Sequence, residues 1–496
     1  RAAQAVPGKA ALLVVDSPDA GARPAETWSY AALQDTVLRV AAGLADLGLR
    51  RGDRLVIRLD NTSSYALLFF GAVAAGLVPV PTSSQLTEEE ARFVVVDSGA
   101  AAIAEAPHLA VPDLPVDVRR IDAETVAELL RYPSAADWAE TSPEDPAFLV
   151  YTSGTTANPK GVLHAHRSVL GRRPMVAGWY GLSSADRVLH AGAFNWTYTL
   201  GTGLTDPWAN GATAIVYVGE KDPALWPRII AGTQATIFAA VPSLYRQMLK
   251  YGAPTHDGLG RLRHGLIAGE TPPPGLFEDW TAATGRELYE ALGQSEVSTY
   301  ISSSPTVPRK PGRVGRPQEG RRVAILPVDG ELPAKDATRP VPLGEDGLIA
   351  VHRSDPGLML GYWKRPDEEA EVWRGDWFVG GDIGRMDEEG YITHLGRGND
   401  IMKALGYRVA PQEVEAVLAR CPGVAEVACR EVQVRADVSV IGAFVVPADP
   451  AHPPAADDVL AFAAAHLASY KCPRQVTIVA TLPRTPNGKV KRSALG

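Results

Sequence analysis

Helical and strand-like segments alternate through the first 400 residues of this chain. Residues 31–47 are rich in Ala and Leu and follow Ser29, a plausible N-cap, and a short strand pattern occupies residues 54–58. Residues 212–218 and 234–240 have the composition of buried strands. This alternation predicts an α/β fold whose sheets are mainly parallel and flanked by helices.

The character of the sequence changes near residue 396. The segment 396–400 is small, polar and turn-prone, and roughly 100 residues with helix-like and strand-like patterns follow it. That length suits a small α+β domain. We therefore predict a large N-terminal domain over residues 1–397 and a small C-terminal domain over residues 398–496.

Composition limits the classes of function. The chain has 496 residues, of which 46% are hydrophobic and 21% charged, as in a globular enzyme of two or more domains. Its formal net charge of −8 offers no broad attraction to nucleic acid or to anionic membranes. The most apolar stretch, residues 65–80, contains Gly and Pro and is shorter than the ~20 residues that cross a bilayer. We expect a soluble protein that binds neither nucleic acid nor membrane.

The cysteines indicate the cellular compartment. There are only three, Cys421, Cys429 and Cys472, and none belongs to a C-x-x-C pair. Reduced thiols in a cytoplasmic enzyme are the expected state. The first residues also lack the apolar core of a signal peptide. We therefore predict a cytoplasmic location, and the sequence does not indicate an oligomeric state.

The strongest local motif is residues 151–161, Tyr-Thr-Ser-Gly-Thr-Thr-Ala-Asn-Pro-Lys-Gly, which follows an apolar strand. Backbone N–H groups of a glycine-containing turn can bind phosphate oxygens, hydroxyl groups add donors, and a lysine adds charge. It is not a Walker A loop, because Pro159 precedes the lysine and Gly161 follows it. The predicted phosphate-binding residues are Thr152, Ser153, Gly154, Thr155, Thr156 and Lys160.

Together with later motifs in the same order, this loop resembles the phosphate loop of the adenylate-forming superfamily of acyl-CoA synthetases, luciferases and peptide-synthetase adenylation domains. The resemblance covers essentially the whole chain and looks nearest to the benzoate-type and medium-chain acyl-CoA ligases. It implies an enzyme that uses ATP and Mg²⁺ to convert a carboxylic acid to an acyl-adenylate and then transfers the acyl group to a thiol. Ala157 stands where the family usually has Gly, which a small side chain tolerates unless φ is positive.

The segment 292–296, Leu-Gly-Gln-Ser-Glu, resembles the family's Tyr-Gly-x-Thr-Glu motif. The resemblance implies that Glu296 helps to hold Mg²⁺ and that Ser295 contacts the α-phosphate. A carboxylate suits a hard cation that bridges phosphates. Leu292 stands where the family customarily has an aromatic residue that stacks on adenine. Upstream, Gly269 and Glu270 resemble the strand end that borders adenine in the family.

Two further motifs are implied to bind ribose and to connect the domains. The segment that ends in Asp382 resembles a family motif whose Asp accepts hydrogen bonds from the ribose hydroxyls. In the next motif, the resemblance implies that Arg397 contacts ribose or phosphate and that Asn399 is the hinge, where Asp or Lys is usual. Gly406 would let the pantetheine arm of coenzyme A pass close to the backbone.

Residues 483–489, Pro-Arg-Thr-Pro-Asn-Gly-Lys, resemble the family loop that carries the adenylation lysine. Lys489 is therefore implied to lie between the attacking carboxylate and the α-phosphate, where it orients one and neutralises charge on the other. The small domain is implied to rotate between the half-reactions, which removes Lys489 and presents Gly406. The C-terminal domain is thus expected to be mobile and catalytic, and the N-terminal domain to bind nucleotide and acid.

Two stretches, residues 190–198 and 239–245, fall where the family builds its acid pocket. The residues predicted to line it are Phe194, Trp196, Tyr198 and Val241. They favour a small aryl, alicyclic or short- to medium-chain acid, although aromatic residues at this spacing are equally typical of an ordinary core. Neither stretch contains Asp or Glu, which disfavours an amino acid substrate. His164 and His166 follow the phosphate loop. We predict that they pack or form hydrogen bonds rather than act in catalysis.

Coenzyme A is the expected acyl acceptor, because one catalytic unit is present without a carrier domain. A stand-alone adenylation enzyme that loads a carrier-protein thiol is the alternative. A nucleotide-binding regulatory protein without turnover is disfavoured, because Lys489, Glu296 and Asp382 are all present.

Overall fold

The computed structural model describes residues 1–18, 24–152, 159–273, 275–328, 337–400, 402–404, 407–435, 438–467, 469–484 and 490–496. Within these ranges, no helix has the length and apolar character needed to cross a membrane. The strands, in chain order, are β1 Ala10–Val15, β2 Glu26–Ser29, β3 Arg54–Arg58, β4 Val78–Pro81, β5 Ala102–Glu105, β6 Arg119–Ile121, β7 Pro146–Thr152, β8 Lys160–Ala165, β9 Arg187–His190, β10 Thr213–Tyr217, β11 Ile237–Ala240, β12 His264–Ala268, β13 Glu287–Gln294, β14 Ser298–Ser302, β15 Arg316–Pro317, β16 Val323–Leu326, β17 Asp346–His352, β18 Gly361–Tyr362, β19 Trp373–Arg374, β20 Trp377–Met386, β21 Ile392–Arg397, β22 Met402–Ala404, β23 Tyr407–Val409, β24 Val424–Arg435, β25 Val438–Pro447 and β26 Gln475–Ile478. The α-helices are α1 Ala2–Ala5, α2 Tyr30–Asp46, α3 Ser63–Ala74, α4 Glu88–Ser98, α5 Ala123–Leu130, α6 Ser168–Gly171, α7 Arg173–Met175, α8 Thr197–Leu200, α9 Asp206–Ala209, α10 Trp226–Gly232, α11 Pro242–Gln247, α12 Leu276–Thr284, α13 Pro366–Glu371, α14 Pro411–Leu418 and α15 Ala456–His466.

Six parallel strands form the centre of the largest sheet, in the order β13-β12-β11-β9-β10-β1, and antiparallel strands extend it at both edges. Because parallel strands point the same way, their carboxyl ends meet along one edge, where open α/β sheets bind ligands. That edge includes His190, Ala240, Ala268 and Gln294, the last residues of β9, β11, β12 and β13. The site residues predicted near these positions are therefore brought together by the topology.

Both faces of this sheet are buried, as is usual for parallel strands. On one face, Leu189 of β9 packs in a cluster with Phe238 and Trp280. On the other face, Val188 packs in a cluster with Tyr198. The second face is the one that carries the predicted acid-pocket aromatics Trp196 and Tyr198.

Smaller sheets complete the fold. Strands β3 to β6 form a parallel sheet, whereas β7, β8 and β18 form an antiparallel one, as do β16, β17 and β19 to β21. The predicted α/β fold is confirmed, with antiparallel sheets that the sequence pattern did not indicate. Ser29 caps α2 as predicted, because its Oγ accepts a hydrogen bond from the Ala32 N–H at 3.2 Å.

The residues after β21 have a core of their own. Met402, Val414, Leu418, Ile441 and Val459 are buried in one cluster. All of them lie in the range predicted for the C-terminal domain, where β24, β25 and β26 form a sheet. The exact cut between residues 397 and 398 stays a prediction.

Candidate active site

Asp382 is a buried residue of β20 at the centre of a polar cluster. Its Oδ2 accepts a hydrogen bond from the Gln294 amide, and its Oδ1 lies 3.2 Å from His394 Nε2 and 3.1 Å from Arg397 Nε. Burial opposes ionisation, but the guanidinium group and the hydrogen bonds outweigh it and lower the pKa of Asp382 to about 2. At neutral pH the carboxylate is therefore ionised and held in one orientation.

A β-bulge explains how two residues of β21 reach the same carboxylate. Arg397 pairs with Asp382 across the ladder. His394 pairs with Gly384, which leaves Leu395 as an extra residue. In a regular strand, side chains three residues apart point to opposite faces. The bulge instead turns both His394 and Arg397 toward Asp382.

Glu296 and Lys160 meet at Tyr362. The Tyr362 hydroxyl donates to Glu296 Oε1 at 2.7 Å, and Lys160 Nζ lies 5.4 Å from the centre of the tyrosine ring. Burial and the Glu296 carboxylate raise the pKa of Tyr362, so the phenol stays protonated and donates. Lys160 also forms an ion pair with Glu368 of α13. Ser295, beside Glu296, is partly exposed at the same turn.

Glu296 can hold a divalent cation. Tyr362 occupies one carboxylate oxygen, and no residue that the structure describes donates to the other, Oε2. One carboxylate combined with phosphate oxygens and waters is a usual ligand set for Mg²⁺. Among the described residues, no group of three or more His, Cys, Asp or Glu side chains could bind a metal by itself. The donor set therefore fits a cation that arrives with a nucleotide.

The hairpin of β7 and β8 carries the predicted phosphate loop. Thr152 ends β7 and pairs with Lys160, which begins β8. The residues between them from 153 to 158 lie outside the described ranges, and with them the predicted positions Ser153, Gly154, Thr155, Thr156 and Ala157. The structure thus brings together the first and last predicted phosphate-binding residues, Thr152 and Lys160, and places Lys160 beside Tyr362.

Gly269 and Glu270 directly follow β12. Gly269 has a φ of 91°, and a Cβ added to it would lie 2.6 Å from Trp196 Cη2. Only glycine therefore fits here without displacing the indole. Glu270 accepts hydrogen bonds from the Ser243 N–H and hydroxyl, both at 3.3 Å, in the first turn of α11. Leu292 packs partly buried against a neighbouring core cluster.

The four residues predicted to line the acid pocket differ in exposure. Phe194 is 2% exposed and packs on Tyr65, with 5.7 Å between the ring centres. Tyr198 is 7% exposed, and its hydroxyl lies 3.3 Å from carbonyl oxygens of β11 and β12. Trp196 and Val241 are partly exposed. Trp196 and Tyr198 form an edge-to-face pair 5.5 Å apart, whereas Phe194 lies in the hydrophobic core.

The two histidines after the phosphate loop have structural contacts. His164 on β8 is 3% exposed and stacks on Phe148, with 4.6 Å between the rings. Burial lowers the pKa of His164 to about 4, so the ring is uncharged at neutral pH. The His166 N–H donates to the Asp145 carbonyl at 3.1 Å. These contacts agree with the packing and hydrogen-bonding interpretation.

The predicted loop of Lys489 begins and ends beside α11. Residues 485–489, like Gly406, lie outside the described ranges, as does the side chain of Asn399 in the turn Gly398–Asp400. Arg484, just before the loop, forms a β-bridge with Val490, just after it. Glu426 accepts from Arg484 at 2.7 Å and also binds Arg246 of α11. The base of this loop is therefore tied to the helix that begins beside Glu270.

Comparison with known proteins identifies the family. The model of the AMP-binding enzyme family matches residues 1–363, and that of the AMP-binding enzyme C-terminal domain matches residues 413–489. The chain belongs to this family. It is 30% identical over 491 residues to the 3-hydroxybenzoate–CoA ligase of Aromatoleum sp. (strain CIB). This match covers 95% of this chain and 91% of that protein.

Two solved structures of CoA ligases have the same fold. A benzoate CoA ligase from Burkholderia xenovorans LB400 matches with a TM-score of 0.86 and 27% identity, over 99% of this chain and 97% of that one. The anthranilate CoA ligase AuaEII in complex with anthranoyl-AMP matches with a TM-score of 0.87 and 25% identity, over 99% and 94% of the two chains. The predicted superfamily and the predicted enzyme class, an AMP-forming acid–thiol ligase, are thereby confirmed.

Three residues that the sequence did not single out contact the predicted site residues. His394 contacts Asp382, Tyr362 binds Glu296, and Glu368 of α13 pairs with Lys160. Tyr362 lies 66 residues after Glu296, and no local pattern marks it as a partner. A bulge depends on the pairing of two strands, so the position of His394 alone could not have revealed its contact.

Proposed function

We propose that this AMP-binding enzyme is an aryl acid–coenzyme A ligase. The observation that carries the proposal is the juxtaposition of ionised Asp382 with the Lys160–Tyr362–Glu296 row. Gln294, which binds Asp382, is two residues before Glu296 and so joins the two groups. A fixed carboxylate suits the vicinal hydroxyls of ribose, and the row suits a metal-bound phosphate chain. These are the two polar parts of ATP.

Each part of ATP has its own residues in this proposal. Asp382 and Arg397 bind the ribose, and Gly269 and Glu270 border the adenine. Ser295 contacts the α-phosphate. The phosphate-binding residues are Thr152, Ser153, Gly154, Thr155, Thr156 and Lys160. Glu368 neutralises Lys160 in the present structure, so phosphate binding would exchange one anionic partner of this lysine for another.

Glu296 would hold Mg²⁺ in the proposed site. A bound Mg²⁺ supplies charge neutralisation on the phosphate oxygens during phosphoryl chemistry. The contribution of the chain itself is positional, because Tyr362 orients the Glu296 carboxylate. No covalent bond between protein and substrate is required, so the protein acts by orientation and electrostatic stabilisation.

The reaction has two half-reactions. The substrate carboxylate attacks the α-phosphorus of ATP, which forms the acyl-adenylate and releases pyrophosphate. The thiolate of coenzyme A then attacks the acyl carbon, which forms the thioester and releases AMP. Lys489 acts in the first half-reaction, and the domain of residues 398–496 turns about Asn399 to present Gly406 in the second. The contact between the base of the Lys489 loop and α11 supports a role for this lysine near the nucleotide.

The acid is proposed to be a small aromatic one. Trp196 and Tyr198 offer an edge-to-face aromatic wall and Val241 an apolar one, whereas Phe194 packs in the hydrophobic core. The comparison proteins named for 3-hydroxybenzoate, benzoate and anthranilate support this substrate class. A cytoplasmic location is part of the proposal, since Cys421, Cys429 and Cys472 are thiols rather than disulfides in the described structure.

A panel of carboxylic acids tests the function. The purified protein should release pyrophosphate from ATP with benzoate-type acids and should form the thioester only when coenzyme A is added. Alicyclic, short-chain and medium-chain acids belong in the same panel. Thioester formation on a carrier protein, without any on coenzyme A, would identify the alternative acceptor. Absence of pyrophosphate release with every aryl acid would contradict the proposal.

A further inference from the structure

His190, the last residue of β9, carries a buried hydrogen-bond donor without a partner. Its side chain is 6% exposed, and its Nδ1 accepts a hydrogen bond from the Gly192 N–H at 2.9 Å. An imidazole that accepts at Nδ1 carries its proton on Nε2. Burial, with nearby Lys221, lowers the pKa of His190 to about 3, so the ring is neutral. No described residue accepts the Nε2 proton.

A second unsatisfied polar group lies beside it. Thr199 of α8 is 1% exposed, and its Oγ1 has no hydrogen-bond partner among the described residues. A Cβ added to Gly192 would overlap Thr199 Oγ1 and lie 3.0 Å from His190 Cε1. The two side chains therefore border the same glycine. Buried polar groups are satisfied in most native structures, so two orphans at one glycine require a reason.

These groups adjoin the aromatic wall of the proposed acid pocket. The ring of His190 packs edge-to-face on Tyr198, with 4.4 Å between the ring centres. Tyr198 in turn contacts Trp196, which lies against Gly269. His190 also ends one of the parallel strands, at the edge of the sheet where the site lies. The successive contacts from Gly269 through the two aromatic rings to His190 thus lead from the proposed adenine side into the proposed acid pocket.

The next layer of side chains, toward the amino ends of the same strands, is mainly apolar. Val188, Ile237 and Leu266 lie two residues before His190, Ala239 and Ala268 on their strands and face the same cluster. Together with Tyr180, Leu182 and Thr202, they leave no space for a water molecule. His190 therefore lies at the boundary between this closely packed layer and the sheet edge where the site lies.

We propose that His190 Nε2 and Thr199 Oγ1 form a polar subsite at the end of the acid pocket, which selects an aryl acid that carries a hydroxyl group. This inference rests on the proposed function and narrows its substrate class. A hydroxyl accepts the His190 N–H and donates to the Thr199 oxygen, so it satisfies both orphan groups at once. A methyl group of similar size leaves both unpaired, which a buried site penalises.

The test compares hydroxybenzoates with methylbenzoates substituted at the same ring position. The specificity constant kcat/KM is measured for each acid by ATP- and coenzyme A-dependent release of pyrophosphate. The wild-type enzyme should prefer one hydroxybenzoate over its methyl counterpart by roughly 10- to 100-fold. His190→Phe and the isosteric Thr199→Val should each reduce this ratio toward one. His190→Gln retains an amide donor and should keep part of the preference.

Controls separate substrate selection from general damage. Thr213→Val removes a different buried hydroxyl, on β10, which donates to the Ala10 carbonyl, and should leave the ratio unchanged. Turnover of benzoate itself reports on the proposed function. If benzoate is a substrate but no hydroxyl preference exists, or if Thr199→Val and His190→Phe leave the preference intact, the subsite is disproved and the function stands. If no aryl acid is activated, both the subsite and the proposed function are disproved.

Discussion

Asp382 combines a buried position with a negative charge, and the proposed ribose contact depends on both. Asp382→Asn keeps the size of the side chain but weakens its capacity to accept hydrogen bonds. We expect KM for ATP to rise roughly 10- to 100-fold, the effect of weakening a charge-assisted hydrogen bond. Steady-state kinetics with varied ATP measures this change. Asp346→Asn, at an exposed carboxylate paired with Arg385 of the same sheet, should leave KM unchanged.

The lowered pKa of Asp382 also predicts a specific acid sensitivity. Its pKa is about 2 in the folded protein, compared with an ordinary value of 3.8. The ionised carboxylate therefore stabilises the fold above pH ~4, by roughly 2 kcal/mol, and this contribution is lost as the pH falls toward 2. Denaturant unfolding at pH 7 and pH 3 should show a smaller loss of stability for Asp382→Asn than for the wild type. Identical losses would contradict this account.

At the scale of elements, the turn after β12 depends on a glycine. Gly269→Ala would place a Cβ in a left-handed conformation and against Trp196. We expect a loss of about 1–3 kcal/mol in the free energy of unfolding, together with a lower kcat/KM for the acid because the indole is displaced. Gly312→Ala is the matched control, since Gly312 has a φ of 70° but no atom within 4 Å of the added Cβ. Equal effects on kcat/KM in the two variants would disprove the contact with the pocket.

Short motifs predicted the chemical groups of the site but not their partners. Asp382, Glu296 and Lys160 each lie in a segment that resembles a motif of the adenylate-forming superfamily, and this resemblance assigned them to one reaction. The contacts that orient them cross between elements far apart in the chain, as from Tyr362 to Glu296. The bulge that brings His394 to Asp382 arises from strand pairing. Pairing between distant strands produces no local pattern in the sequence from which these contacts could be predicted.

At the scale of the whole molecule, the two half-reactions should depend differently on the C-terminal tail. Lys489→Ala should reduce adenylate formation by roughly 100-fold or more, because the charge that develops at the α-phosphate loses its counter-ion. Thioester formation from a supplied acyl-adenylate should be largely spared. Rapid-quench assays of each half-reaction measure the two rates. Lys491→Ala, at the neighbouring exposed cation, should affect neither, and equal loss of both rates in Lys489→Ala would contradict the assigned role.

The ion pairs of Glu426 link the C-terminal tail to the rest of the molecule. Glu426 binds Arg246 of α11 and Arg484 at the base of the Lys489 loop, and the two arginines together outweigh burial and lower its pKa. The arginine side chains are 42% and 38% exposed, so each pair is worth at most about 1 kcal/mol. Loss of the carboxylate should therefore disfavour the arrangement seen here only modestly.

Glu426→Gln is expected to slow adenylate formation by roughly 2- to 5-fold and to leave thioester formation from a supplied acyl-adenylate unchanged. The contacts are partly exposed, so added salt should slow the wild-type adenylation step toward the rate of the variant. Glu413→Gln breaks the Glu413–Lys471 ion pair within the C-terminal part and should alter neither rate. If Glu413→Gln matched Glu426→Gln, or if both half-reactions slowed equally, general destabilisation would explain the effect. A selective, salt-sensitive loss would instead mean that Glu426 holds the tail beside α11 for the first half-reaction.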